Sequence, residues 1–187
     1  MTGALTAAKP VDPVLIEVPE RIDTARLRLR PPQRGDGAAL NAAVVESRER
    51  LARWMPWAQA EPTLDDSEAY CRREQAKFAL RENLAMLALT LEPSGEEGAI
   101  VGATGLHRID WTLRTFEVGY WLREGCEGRG FVHEAVTALV AMAFDALAAR
   151  RVEIRCDSAN TRSWRVAERA GFVLEGILRQ DSATPAG

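Results

Sequence analysis

A single domain of mixed α/β class is what this sequence predicts, and three observations predict it. The chain of 187 residues suits one hydrophobic core, since single cores commonly serve about 100–200 residues. Hydrophobic residues at 47% and charged residues at 27% match ordinary globular composition. Segments of period two alternate with segments of helical period, and no internal repeat interrupts them.

The elements follow in order. Residues 1–20 are broken by Pro10, Pro13 and Pro19 and read as a loose N-terminal arm, whose apolar run Val14–Ile16 is too short for a signal-peptide core. The domain proper is expected over 21–187. "ARLRLR" at 25–30 alternates as a half-buried strand. Helical spacing follows Asp36, a candidate N-cap, and ends near Pro56 and Pro62. A second helix is expected over 67–82, capped by Asp65 or Asp66. Strands at 84–91 and 99–107 flank the turn-rich "EPSGEEG", which suits an antiparallel hairpin. A third strand, "TFEVGYWL", covers 115–122. The apolar positions of 130–150 leave only a narrow polar stripe with His133, so this helix should lie on a sheet. "VEIRCD" at 152–157 alternates with Val152, Ile154 and Cys156 on one face. A short helix after Asn160 closes at Gly171, and "FVLEGILRQ" reads as a final strand over 172–180.

The totals exclude several functions. A net charge of -3 offers no field that would draw a polyanion, so nucleic acid is not an expected partner. No stretch approaches the roughly 18 apolar residues of a membrane span. Cys71, Cys126 and Cys156 are an odd number with long gaps, which suggests neither a disulfide framework nor a metal site, and points to a reducing, cytoplasmic setting.

Chemistry concentrates in "EGCEGRGFVHEA" at 124–135. A Gly-rich loop between a strand and a helix gathers unpaired amides and the helix dipole into an anion site. His133 stands where a dinucleotide fingerprint needs its third glycine, and the Lys-Ser/Thr pair of a P-loop is absent. Taken alone, the loop allows any phosphate, or only a strand-to-helix turn.

The segment "EVGYWLREGCEGRGFVHEAV" at 117–136 resembles motif A of the GNAT superfamily of N-acetyltransferases. "TARLRLRPPQRGD", "RERLARWMPW", "VGATGLHRID" and "NTRSWRVAERAGFVLEG" resemble, in order, its RimJ/RimL-type ribosomal-protein N-terminal acetyltransferases. The resemblance covers roughly 22–180. It implies a mostly antiparallel mixed sheet with helices on both faces, and a splayed strand pair that holds acetyl-CoA, with no metal. It also implies an acetyl-CoA-dependent acyltransferase acting on a primary amine, a protein or peptide α-amine first and a small-molecule amine second. Dimers are common in the family. Two departures stand out. Gly125 occupies a place where Arg or Gln is usual, and members carry a further strand after "EGILR", so a C-terminal strand is expected to be missing. An acyl-CoA-binding module with little transfer activity is the reading these departures suggest.

The resemblance assigns roles residue by residue. Pantetheine bonds the backbone around Leu122 and Arg123, and the amides of Glu127, Gly128, Arg129, Gly130, Phe131 and Val132 face the pyrophosphate. The Arg129 side chain adds a charge-assisted contact or is merely solvated. Asn160 and Ser163 keep the N-x-x-S spacing: Asn160 caps its helix and can touch pantetheine, and Ser163 can hydrogen-bond or protonate the departing thiolate. Glu117 is the expected general base, if burial raises its pKa, with a solvent-facing strand residue as the alternative. Trp54, Trp57 and Tyr120 are the acceptor-binding candidates, with packing between the first helices as the alternative for the two tryptophans. His107 at a strand end and His133 read as structural or surface residues, and Cys156 as a small buried hydrophobe. Direct attack in a ternary complex is therefore the expected mechanism.

Overall fold

The structure, a computed structural model, describes residues 11–181. Its strands are β1 (Ile22–Asp23), β2 (Leu27–Arg30), β3 (Leu84–Leu91), β4 (Glu97–Asp110), β5 (Thr115–Leu122) and β6 (Arg151–Glu153). Its helices are α1 (Gly37–Leu51), α2 (Leu64–Ala79), α3 (Phe131–Asp145) and α4 (Thr161–Arg169). All six strands form one sheet in the order β1-β2-β3-β4-β5-β6. Neighbours are antiparallel except β5 and β6, which run parallel. No described helix is long and apolar enough to cross a membrane.

Period-two alternation gives the sheet two faces. Leu27, Leu29, Met86, Phe116 and Val118 turn to one side and pack with Val136, Leu139 and Ala143 of α3. Leu87, Leu89 and Ile100 turn to the other and pack with Leu40, Ala43 and Val44 of α1 and Cys71 of α2. Both faces are thus covered, and the mixed α/β class read from the periodicity holds.

Several expectations are corrected. The second helix begins at Leu64, because the capping box belongs to Thr63: its hydroxyl accepts from the Asp66 amide while the Asp66 carboxylate accepts from the Thr63 amide. Asp36 makes no cap bond; its carboxylate holds Arg30 at 2.7 Å instead. The strand expected over 152–157 shrinks to Arg151–Glu153, the length over which β5 offers it partners. Cys156 consequently lies beyond the ladder and is exposed, not a buried hydrophobe. No strand forms at 172–180, since a strand exists through its ladder and this segment finds none among the described residues. Phe172 packs against the core, but Val173, Leu174, Ile177 and Leu178 stand in solvent, Val173 at 83% exposure.

Within the expected arm, Pro13–Leu15 forms a short 3-10 turn and Val18 is buried in the core. Residues 1–10 of that arm lie outside the described residues.

Candidate active site

The ladder between β5 and β6 joins Thr115 to Arg151, Phe116 to Val152 and Glu117 to Glu153, and then stops. β5 runs on to Leu122. From Val118 onward its outer edge is therefore unpaired, and the two strands part.

At the far end of β5 the glycine loop turns into α3. Gly128 has φ +71° and Gly130 φ +78°, left-handed backbone that costs an L-residue about 1–2 kcal/mol. Gly130 is also the N-cap, so α3 begins with no side-chain cap. Among the described residues, no chain acceptor meets the amides of 127–130. A helix N-terminus with open donors is a ready-made site for an anion such as phosphate. The side chains around it were not legible in the sequence. Arg26 donates to the Arg129 carbonyl at 2.9 Å and to Glu134 of α3, tying the β1–β2 turn to the loop. Arg129 itself lies over the Phe131 ring, 4.6 Å from its centroid. Arg50 from α1 and Arg162 from α4 both bond the Glu127 carboxylate. The guanidinium groups of Arg50 and Arg162 thus share the single carboxylate of Glu127.

Gly125 is explained by the same loop. Its φ of +77° makes it a turn position that an Arg or Gln side chain would strain.

Not all expected backbone contacts are open. The single amide donor of Arg123 already bonds Val101 O at 2.7 Å, and its side chain pairs with Glu46. The Leu122 carbonyl accepts from Arg50 at 2.6 Å and keeps one lone pair.

Where the strands part, Tyr120 meets the start of α4. Asn160 caps that helix, its Oδ1 accepting from the Ser163 amide at 3.2 Å. The Tyr120 hydroxyl donates to the Ser163 carbonyl at 2.8 Å and lies 3.1 Å from Ser163 Oγ. A carbonyl only accepts, so the phenol proton is committed there and Ser163 is left to donate to the Tyr120 oxygen. Burial pushes the Tyr120 phenol up to about 12, which keeps it a neutral donor. Partial desolvation also raises the neighbouring Cys156 thiol above its ordinary value, an effect the Ser163 hydroxyl partly offsets. A thiolate nucleophile is thereby disfavoured.

On the α1/α2 side of the sheet a groove of about 490 Å³ runs beneath Trp57 to Tyr120. Trp57 is 52% exposed and meets Trp121 edge-to-face at 6.3 Å. Trp54 is not among the lining residues; Met55 lines the groove in its stead. Glu117 is not among them either, and its Oε2 is buried without a hydrogen bond, 3.4 Å from Arg108 Nη1. His107, which its sequence position marked as a structural residue, does line the groove, as do Glu74 and Asn83. Burial lowers the His107 pKa. No cluster of three or more potential ligands suited to a metal occurs among the described residues.

Known proteins resemble this chain in sequence and in fold. The chain is 31% identical over 153 residues to the putative ribosomal N-acetyltransferase YdaF of Bacillus subtilis, covering 82% of this chain and 80% of that protein. It is 38% identical over 85 residues to the ribosomal-protein-serine acetyltransferase of Escherichia coli, covering 46% of this chain and 48% of that protein. Among solved structures, RimL, a ribosomal L7/L12 α-N-protein acetyltransferase in complex with coenzyme A, superposes with a TM-score of 0.78 at 23% identity, over 88% of this chain and 90% of that one. That last likeness is one of fold. Residues 26–173 match the acetyltransferase (GNAT) domain, and with the open helix terminus and parted strands in place, the chain belongs to the GNAT acetyltransferase family.

Proposed function

We propose that this chain moves the acetyl group of acetyl-CoA to a primary amine, the α-amine of a protein or peptide N-terminus, by direct attack in a ternary complex. The observation that carries the reading is the Tyr120–Ser163 hydroxyl pair at the mouth of the parted strands. Amine attack on a thioester expels a thiolate, and a hydroxyl free to turn its proton onto sulfur stabilises that charge as it forms. In this reading Ser163 faces the sulfur, and Tyr120 holds the Ser163 backbone in position. Pantetheine runs along the unpaired edge of β5, up to Leu122, in the manner of an added strand. The diphosphate sits on the amides of Glu127 to Val132, and draws Arg50 and Arg162 away from Glu127. Asn160 keeps its cap and lends its amide NH₂ to the slot.

The acceptor side follows from size. A groove of about 490 Å³ is larger than a small primary amine fills and suits the first residues of a peptide. Trp57 and Tyr120 supply amphipathic walls for them. Similarity to proteins named for acetylating ribosomal proteins supports the same acceptor class. Three free cysteines fit a reducing cytoplasm.

Two measurements test this. Acetyl-CoA should raise the melting temperature, since a ligand specific to the folded state adds RT ln(1 + [L]/Kd); no shift at millimolar concentration would sink the donor assignment. Thiol release should then be followed with a panel of peptides carrying free N-termini and a panel of small amines. Turnover with the small amines alone would replace the acceptor, and release with neither panel would leave an acyl-CoA-binding module.

A further inference from the structure

We infer that His107 is the proton acceptor for the incoming amine, oriented by Asn83 and Glu74 as positioning residues. The inference rests on the transfer reading above. It begins with a part-buried chain of polar groups, anchored on buried Glu74, on the acceptor side of the sheet. Lys77 bonds Glu74 Oε1 at 2.9 Å, and Asn83 Nδ2 donates to Glu74 Oε2. Asn83 Oδ1 then lies 2.7 Å from His107 Nδ1.

The order of donors along this chain is forced. A carboxylate only accepts, so Asn83 must turn its NH₂ to Glu74 and its oxygen to His107. An oxygen at hydrogen-bond distance requires a proton on Nδ1. The neutral ring therefore carries its lone pair on Nε2. That nitrogen has no partner among the described residues, and the ring lines the acceptor groove together with Gly119, Tyr120 and Trp121. Gly119 makes the approach possible: a Cβ there would lie 3.0 Å from His107 Cδ2 and Nε2. Backbone without a side chain leaves the basic edge open to the groove, which Tyr120, the next residue of β5, also lines.

The charged and titratable groups facing the ring come from every neighbouring element. α2 supplies Glu74, Lys77 and Tyr70, β5 supplies Glu117 as the register partner of His107, and β4 adds Arg108. Burial lowers the His107 pKa, and Lys77 lowers it further, against the opposing pull of Glu74. Burial and Lys77 thus both favour the neutral ring, the form that can accept a proton.

The step balances. His107 Nε2 takes one proton from the ammonium, and the freed nitrogen pair forms the C–N bond to the thioester carbonyl carbon. The C–S bond breaks with its electron pair on sulfur, and the second amine proton ends on sulfur as the amide and the CoA thiol form. The proton on His107 leaves to solvent through the groove.

The test uses acetyl-CoA and a hexapeptide with a free N-terminal serine. His107→Gln should lower kcat by about 100-fold or more, within the range general bases supply, while KM and the melting shift with acetyl-CoA stay near wild type. Asn83→Ala should lose part of that rate with folding kept. Glu117→Gln should leave the acidic limb of the wild-type rate profile in place. Imidazole ¹⁵N spectra of wild type give an independent readout, since His107 and His133 are the only 2 histidines: neutral His107 should be protonated at Nδ1, and Asn83→Ala should release that preference. Wild-type enzyme silent toward every peptide and amine would sink the transfer reading and this inference with it. Normal wild-type turnover retained by His107→Gln, or a neutral ring protonated at Nε2, would overturn this inference alone.

Discussion

Ser163 and Gly130 are the residues at which the smallest change should be most telling. In the proposed reaction, removing the Ser163 hydroxyl, which lies 3.1 Å from the Tyr120 oxygen, withdraws the proton offered to sulfur. Ser163→Ala should therefore slow acetyl transfer by roughly 100-fold to 1,000-fold without weakening CoA binding; equal turnover would remove Ser163 from the chemistry. Gly130→Ala acts on binding. Its φ of +78° disfavours any Cβ by about 1–2 kcal/mol, and relaxing that strain would rotate the amides of 130–132 away from the proposed diphosphate position. A Kd for CoA measured by calorimetry should rise while kcat at saturation changes little. The spacing of Asn160 and Ser163 was legible in the sequence because an N-cap and its partner are local. Arg26, Arg50 and Arg162 were not, since each reaches the loop from an element distant in the chain.

At the scale of elements, two ties between sequence-distant segments govern the site. The capping box of α2 satisfies two orphan backbone donors at once, so Thr63→Ala should cost about 1 kcal/mol in chemical denaturation. The tie between the β1–β2 turn and α3 passes through Glu134, which accepts from Thr24 at 2.6 Å and from Arg26 at 2.7 Å. Burial alone would raise this carboxyl, but the donors from Thr24 and Arg26 hold it below its ordinary 4.5. A depressed carboxyl contributes stability that is full above pH 4.5 and is lost as pH falls through the lower folded value. Wild type should lose unfolding free energy in that acid window, and Glu134→Gln should be weaker at neutral pH with a shallower acid decline. An identical slope for both would remove Glu134 from the linkage. Element type was readable here because period and caps are properties of a few consecutive residues; the start of α2 was misread because two aspartates follow the true cap Thr63.

For the molecule as a whole, stability rests on the sheet covered from both sides. Leu139 is fully buried between α3 and the strands, so Leu139→Ala should destabilise by about 2–5 kcal/mol, visible as a lower denaturant midpoint at unchanged slope. The exposed apolar segment at 173–178 contributes little to that core, and Val173→Ser should change stability by less than about 0.5 kcal/mol. By itself the sequence determined the mixed α/β class, the order of β2 through α4, and the glycine loop before α3, because each depends on spacing within one segment. It overestimated the last strands, since alternation licenses a strand while only a partner makes one. Tertiary structure alone decided that β5 and β6 part after Glu117, that Glu117 leaves the groove for Arg108, and that Tyr120 reaches Ser163. It decided, too, that His107 meets Asn83 and Glu74. Those pairings join atoms from different elements at hydrogen-bond distance, and no period along one chain segment encodes the distance between two.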